Sequence, residues 1–347
     1  MQRRPFARKP LHASPSSSRK SLDDVKRAVD TCLQNPLHSK EDGVQNAVSL
    51  LDQLESNAFK QSPMEVEEVI GSIFCMICSV QAESSPHLIE LLLSACTKHH
   101  FCFSESFCLR VTDSVPNPSA FRVVAFILDS QGKQLSSECL HHLASDLFVY
   151  VMDGSLPAET RLLSLLCFSN LIHVPRFTIP PEQSELLLQT LLSSLQPFPT
   201  DEITSKIHSI SLHLLCFLLQ HPTRKDALPD AYSALACSLL HTLTTTSHPH
   251  TKYNANVLQF LRLVEAQTPS TRRLLPFLTD LLRLTTQWAG EVSLTHECLT
   301  TLRTLFKKTP SSLCAQLPPA LLASLLAWFL QQLTQPSPGL MVVELLR

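Results

Sequence analysis

The segment SPMEVEEVIGSIFCMIC, residues 62–78, carries the signals that decide the fold of this chain. Ser62 is a residue type favoured at a helix N-cap, Pro63 follows it, and Glu65 stands three residues after the cap. Proline is tolerated at the first helical position because its missing N–H would have no helical partner there. The segment therefore predicts an α-helix that begins at residue 63.

Similar start signals recur between leucine-rich segments along the whole chain. Ser85-Pro86 and Asn117-Pro118 repeat the pattern of a capping residue before proline, and residues 155–159 contain a looser version around Pro157. Ser21 with Asp24 resembles a capping box, and residues 201–202 place two acids in a first turn. The chain has 24 prolines but 6 glycines, and its apolar residues follow a helical period. The β-like run at 121–128 also fits a buried helix.

The pattern predicts an all-α protein of about sixteen helices, with two successive helices spanning about 40 residues, the range of HEAT and armadillo units. Such units stack into a right-handed α-α superhelix, an extended solenoid with a continuous core. The predicted helix starts lie near residues 22, 41, 63, 86, 104, 118, 137, 157, 181, 201, 227, 253, 271, 292, 318 and 338.

In repeat length and in its leucine-rich helices, the chain from residue 21 onward resembles the armadillo/HEAT-type α-solenoid superfamily. The ladder of Trp and Asn residues with which import receptors of that superfamily hold peptides is absent, since neither Trp288 nor Trp328 has an Asn four residues later. The helices rich in Leu, Ser, Cys and His also resemble the meiosis inhibitor protein 1 family of armadillo-type proteins. That resemblance implies a nuclear, chromosome-associated role in meiosis.

Two regions follow from the composition. Residues 1–20 contain basic and serine residues without an acid, and we expect a disordered basic tail that is a solvated segment, a nuclear import signal or a mitochondrial presequence. Residues 21–347 are expected to form one ARM/HEAT-like helical-repeat domain. Its last residues, 340–347, continue a helical pattern without a stop signal, which predicts truncation of the repeat domain at the C-terminal end.

Charge and hydropathy limit the cellular compartment and the binding partners that we expect for this protein. Apart from its basic tail the chain is net acidic, so no direct binding of nucleic acid is expected from the body. We find neither a secretory signal nor an apolar stretch long enough for a membrane helix. The 12 cysteines lie mostly within leucine-rich helices, which is typical of a reducing compartment and predicts a cytoplasmic or nuclear protein.

Four residues form the strongest candidate for a metal site. The spacings Cys75-x-x-Cys78 and Cys96-x-x-His99 form two pairs of zinc-type ligands that are about 17 residues apart, as in a structural zinc site. However, residues 70–80 have the pattern of a buried helix, on which a spacing of three simply shares one face. We therefore expect core and surface cysteines and no bound metal, and keep a structural zinc site as the alternative.

Motifs for catalysis and for cofactors are missing. The sequence has no Gly-x-Ser-x-Gly elbow, no Walker loop and no Gly-x-Gly-x-x-Gly, and its glycines stand apart, so that no phosphate cradle can form. The sequence therefore predicts a protein that is not an enzyme and has no cofactor.

The favoured function is a non-catalytic scaffold or adaptor that binds a protein or peptide partner on a helical-repeat surface. Basic residues on consecutive C-terminal helices form a candidate stripe for an acidic peptide, with ordinary solvated faces as the alternative. They are Arg262, Arg272, Arg273, Arg283 and Arg303. The second hypothesis is the chromosome-associated factor, with its basic tail and a possible zinc site.

Overall fold

A computed structural model describes residues 21–34, 40–54, 56–79, 85–195, 201–220, 230–245, 251–267, 271–288, 292–307 and 316–333. These residues contain sixteen α-helices, one 3₁₀ turn and no β-strand, which confirms the all-α fold class. The predicted tail at 1–20 and the helix predicted near 338 lie outside the described residues.

The chain divides into two compact units, Met1–Ser136 and Ser137–Arg347. The first unit contains α1 (Leu22–Gln34), α2 (Lys40–Asp52), α3 (Ser56–Gln61), α4 (Pro63–Cys78), α5 (Ser85–Lys98), α6 (Glu105–Thr112), α7 (Pro118–Gln131) and the 3₁₀ turn Gly132–Gln134. The second contains α8 (Ser137–Met152), α9 (Ala158–Ile172), α10 (Pro181–Ser194), α11 (Glu202–Gln220), α12 (Asp230–Thr245), α13 (Thr251–Gln267), α14 (Thr271–Gln287), α15 (Val292–Phe306) and α16 (Pro319–Leu333).

Each helix start predicted within the described residues lies close to an observed start. The largest difference is at α13, which is predicted near residue 253 and observed at Thr251, whereas the start predicted near residue 227 lies outside the described residues. The run at 121–128 lies inside α7 and is helical, as predicted. Helix α3 was missed, because six residues are too few to establish a helical period.

Two of the predicted caps are confirmed. The Ser21 N–H donates to the Asp24 carboxylate at 2.9 Å, which is the contact that a capping box requires. The Asn117 side-chain oxygen accepts a hydrogen bond from the backbone N–H of Ser119 at 2.8 Å. Both contacts satisfy a backbone N–H that has no partner within the helix itself.

The other predicted caps need correction. Ser62 stands at the N-cap of α4, but its hydroxyl makes no capping bond. Ser85 is the first residue of α5, and its buried hydroxyl meets the Ser119 hydroxyl at 2.5 Å. Pro157 occupies the N-cap of α9, and Asp201 precedes α11 as its cap. At α5 and α9, tertiary contact and proline geometry have replaced the local serine cap.

In the first unit, each long helix packs against its neighbours along the chain. Helix α1 contacts α2 and α4, α2 contacts α4 and α5, and α5 contacts α7. The core between them is aliphatic, with Ile70, Ile73 and Ile77 of α4 and Ile89 of α5 at most 1% exposed.

In the second unit, alternate helices lie side by side. Helices α9, α11, α13 and α15 pack successively in one layer, and α12, α14 and α16 pack successively in a second layer. The layers contact each other through the pairs α12–α13 and α14–α15. Phe168, Leu215 and Phe260, one each from α9, α11 and α13, are at most 1% exposed. A continuous apolar core therefore runs along the first layer.

Polar contacts in the second unit repeat at the spacing of two helices. The Cys216 thiol donates to the backbone oxygen of Asn256 at 3.9 Å, across 40 residues of sequence. His241 lies 4.0 Å from the Asp280 carboxylate. Each contact joins a helix to the next helix of its layer.

One histidine lies inside this core. His208 of α11 is 2% exposed, and its Nδ1 has no hydrogen-bond partner among the described residues. Burial, with a smaller effect of the positive charge of Arg161, lowers the pKa of His208 to about 4. Folding therefore keeps this ring neutral.

This burial predicts a dependence of stability on pH. The pKa of a histidine in the unfolded chain is about 6.5, and the pKa of His208 in the folded protein is about 4. Between these two pH values the unfolded chain therefore binds one more proton than the folded protein. The contribution of His208 is therefore fully present above about pH 6.5 and is lost as the pH falls towards 4. Urea unfolding of the His208→Gln variant should show a smaller decrease of stability over this range than the wild type.

The matched control is His296→Gln, at an exposed position on α15. We expect this variant to keep the pH dependence of the wild type. An identical pH dependence in all three proteins would contradict the assignment to His208.

Candidate functional site

The exposed face of α4 forms the floor of a groove in the first unit. Met64, Glu68, Gly71, Ser72 and Cys75 are exposed or half-buried and are spaced by three and four residues, so they share one face of the helix. The opposite face of α4 carries the buried isoleucines. The groove is therefore the side of α4 that the core does not use.

One half of the groove is a hollow of about 520 Å³. Its walls are Leu33 of α1, which is 62% exposed, and Phe107 and Arg110 of α6. Gly71 gives the hollow its depth, because a Cβ atom at this position would stand 3.5 Å from the Phe107 ring. An alanine would make an ordinary contact there, whereas a larger side chain would fill the space.

The other half is a hollow of about 660 Å³ at the start of α4. It is lined by Met64, which is 80% exposed, and by residues 102–104 and 106. Glu68 and Arg110 line both hollows, which are therefore neighbours. We call the two hollows together the α4 groove.

A carboxylate on α4 fixes the start of α6. Glu67 accepts hydrogen bonds from the Ser104 N–H at 2.7 Å and from the Ser104 hydroxyl at 2.6 Å. The Ser104 oxygen in turn accepts from the Phe107 N–H at 3.1 Å and caps α6. Charge-assisted hydrogen bonds of this kind are the stronger ones, and they hold the wall of the groove in place.

The groove is apolar at its sides and charged where its halves meet. The Arg110 guanidinium lies 3.7 Å from the Glu67 carboxylate and 5.8 Å from the centre of the Phe107 ring. Glu68 is exposed beside it. This arrangement suits a ligand with apolar side chains for the two hollows and a polar or charged group between them.

The cysteines of the candidate zinc cluster lie in different surroundings. Cys75 is exposed in the α4 groove, Cys78 is half-buried and Cys96 is fully buried. Burial raises the pKa of Cys78 to about 11, with a smaller effect of Cys75, and burial raises the pKa of Cys96 to about 12. Burial therefore disfavours, at both positions, the thiolate form in which cysteine binds zinc.

The fourth residue of that cluster is held by other contacts. The His99 ring stacks on Phe59 with centroids 4.2 Å apart. Its Nδ1 lies 3.3 Å from the Ser56 hydroxyl, and its Nε2 lies 3.3 Å from the backbone oxygen of Asp52. Across the described ranges, no group of three or more His, Cys, Asp or Glu residues is arranged to hold a metal ion.

Two arginines of the proposed basic stripe pair with acids of the same unit. Arg262 lies 2.8 Å from Glu297, and Arg283 lies 3.4 Å from Asp280. Arg272 and Arg273 lie on α14, and their side chains are outside the described part of the chain. Arg303 is exposed on α15. The stripe as a peptide site stays a prediction.

Comparisons with known proteins leave the family open. No protein-family model matches the chain, and no curated protein sequence matches it significantly. Among the helices that the structure describes, none combines the length and the apolar character needed to cross a membrane.

The α4 groove was not predicted from the sequence, although one signal for it was present. Gly71 stands in the middle of a helix, where glycine costs about 1 kcal/mol relative to alanine. Such a glycine indicates a close approach or a space beside the helix. The walls, from α1 and α6, are distant in sequence, and no local pattern points to them.

Exposure predicts which cysteines react. Among the described residues, the exposed cysteines are Cys75 and Cys102. One lies in each half of the groove. Brief iodoacetamide treatment at neutral pH, followed by peptide mass mapping, should label these two well before Cys96, Cys216 and Cys298, whose pKa values burial raises to about 12.

Single Cys75→Ser and Cys102→Ser variants serve as controls, since each should lose one fast-reacting equivalent. Equally rapid labelling of Cys96 in the folded protein would show that the core around α4 and α5 is not packed as described.

Proposed function

We propose that this protein is a non-catalytic interaction scaffold and that the α4 groove holds a segment of a protein partner. The observation that carries the proposal is the pair of adjoining hollows with Leu33 and Met64 exposed on their walls. Large apolar side chains grouped at a concave surface are typical of protein interaction sites. Glu68 and Arg110, which line both hollows, would set the register of the bound segment.

The armadillo/HEAT-like superhelix belongs to the same proposal. Its support is the packing of alternate helices in layers and the repetition of contacts about 40 residues apart in the second unit. Stacked helical repeats present extended surfaces, and proteins built in this way commonly act as scaffolds.

The dimensions of the groove favour a helical partner. Its floor runs from Met64 to Cys75, which is about 16 Å at 1.5 Å per residue. Met64 and Ser72 mark the two hollows and lie about 12 Å apart along the helix. Two apolar residues seven positions apart on a partner helix would span a similar distance, about 10 Å, and the exposed Glu68 favours a basic residue between them.

Site-specific photo-crosslinking tests the proposal. A benzophenone amino acid at position 33 or 64 should form adducts, in the cells that express the protein, with one and the same partner segment. Mass spectrometry should place both crosslinks on an amphipathic helix of that partner. The same probe at Val149, which is 63% exposed in the second unit, is the control for non-specific capture.

Gly71 provides the matched pair of variants. Gly71→Leu fills the hollow beside Phe107 and should remove the adducts, whereas Gly71→Ala leaves most of the space and should keep them. Circular dichroism would verify that both variants are folded. Adducts that survive in the folded Gly71→Leu variant, or that form equally at position 149, would reject the α4 groove as the binding site.

A further inference from the structure

Two histidines from neighbouring helices meet in the second unit. The Nε2 atoms of His173 and His213 are 2.9 Å apart, and the ring centroids are separated by 5.1 Å. His173 follows the last residue of α9, and His213 lies in the middle of α11. His173 is exposed and His213 is half-buried, so ions in the solvent can reach the pair.

The surroundings hold the His173 ring in place. The backbone N–H of His173 donates to the backbone oxygen of Asn170 at 3.2 Å and fixes the position of this residue at the end of α9. Phe217, one turn beyond His213 on α11, packs edge-on against the His173 ring with centroids 5.7 Å apart. The packing of α9 against α11 therefore brings the two Nε2 atoms together.

We propose that His173 and His213 form a two-histidine site for a divalent transition-metal ion. Imidazole nitrogens bind such ions at about 2.0–2.1 Å. At a bond angle of 90°, two such nitrogens stand about 2.9 Å apart, whereas a tetrahedral ion separates them by about 3.4 Å. The observed 2.9 Å lies within this range; because centroids 5.1 Å apart leave the two nitrogens pointing at each other, the rings would turn towards the ion as it binds, and imidazole suits Ni²⁺, Cu²⁺ and Zn²⁺ alike.

The two nitrogens would be the protein ligands, and water would complete the coordination, because the described residues supply no group of three ligands. The site lies at the C-terminal end of α9, where the helix dipole favours a cation. Since both ligands are Nε2 atoms, each ring would carry its proton on Nδ1.

A bound ion would link α9 to α11, two neighbours in the same layer of helices. An ion that binds the folded form and not the unfolded chain raises the stability of the folded form in proportion to the logarithm of its concentration. The metal would therefore act as a clamp between successive two-helix units.

Calorimetric titration of the full-length, untagged protein with Ni²⁺, after removal of metals by chelator, tests the site. We expect saturable binding by the wild type and affinity lower by more than about tenfold in His173→Asn and in His213→Asn. His296→Asn, which removes an exposed histidine elsewhere in the same unit, should bind like the wild type. Ni²⁺ should also raise the Tm of the wild type, and EDTA should reverse that increase.

The proposal fails if the wild type shows no saturable binding, as expected if the two rings form just a hydrogen bond with each other. It fails equally if His173→Asn and His213→Asn bind Ni²⁺ as tightly as the wild type. A thiolate-to-nickel charge-transfer band would place the ion on cysteine, and would reject the histidine pair as well.

Discussion

The structure depends on the burial of aliphatic and aromatic side chains between a helix and its neighbours up to two places along the chain. Fully burying one leucine or phenylalanine side chain contributes about 1.5–3 kcal/mol. Leu215 of α11 and Phe260 of α13 are each completely buried, and each belongs to a helix that packs on both sides within its layer. A helix of such a layer cannot bury its apolar surface alone, so its stability depends on the helices that pack on either side of it.

This requirement also explains the α4 groove. One face of α4 is committed to the core through its isoleucines, and the other face carries glycine, serine, cysteine and charged residues that gain little from burial. The short helix α6 rises beside that face, because Glu67 holds its first turn at Ser104. The space between α1 and α6 is the consequence. Its walls keep apolar side chains, which is the property that a partner segment can use.

The sequence predicted the local features well, because helix starts are encoded by adjacent residues. Asn117 and the prolines mark helix starts without reference to the rest of the chain. Features formed by residues about 30–45 positions apart could not be predicted from the sequence, because they depend on how the helices pack against one another. Ser85 was expected to cap a helix and instead contacts Ser119, and the spacing of Cys96 and His99 suggested zinc although packing buries both. The meeting of His173 with His213 has no local signal.

Zero-length crosslinking with a carbodiimide tests the central claim most directly, since it joins amines to carboxylates that are already in contact. The packing of α1 on α4 and of α2 on α5 predicts the links Lys26–Glu65 and Lys98–Asp52, which span 39 and 46 residues. The pair Lys206–Glu202, within one helix, is the positive control. Mass spectrometry should find all three. Recovery of the control without either long-range link, or links that join these lysines to carboxylates of the second unit, would contradict the packing order.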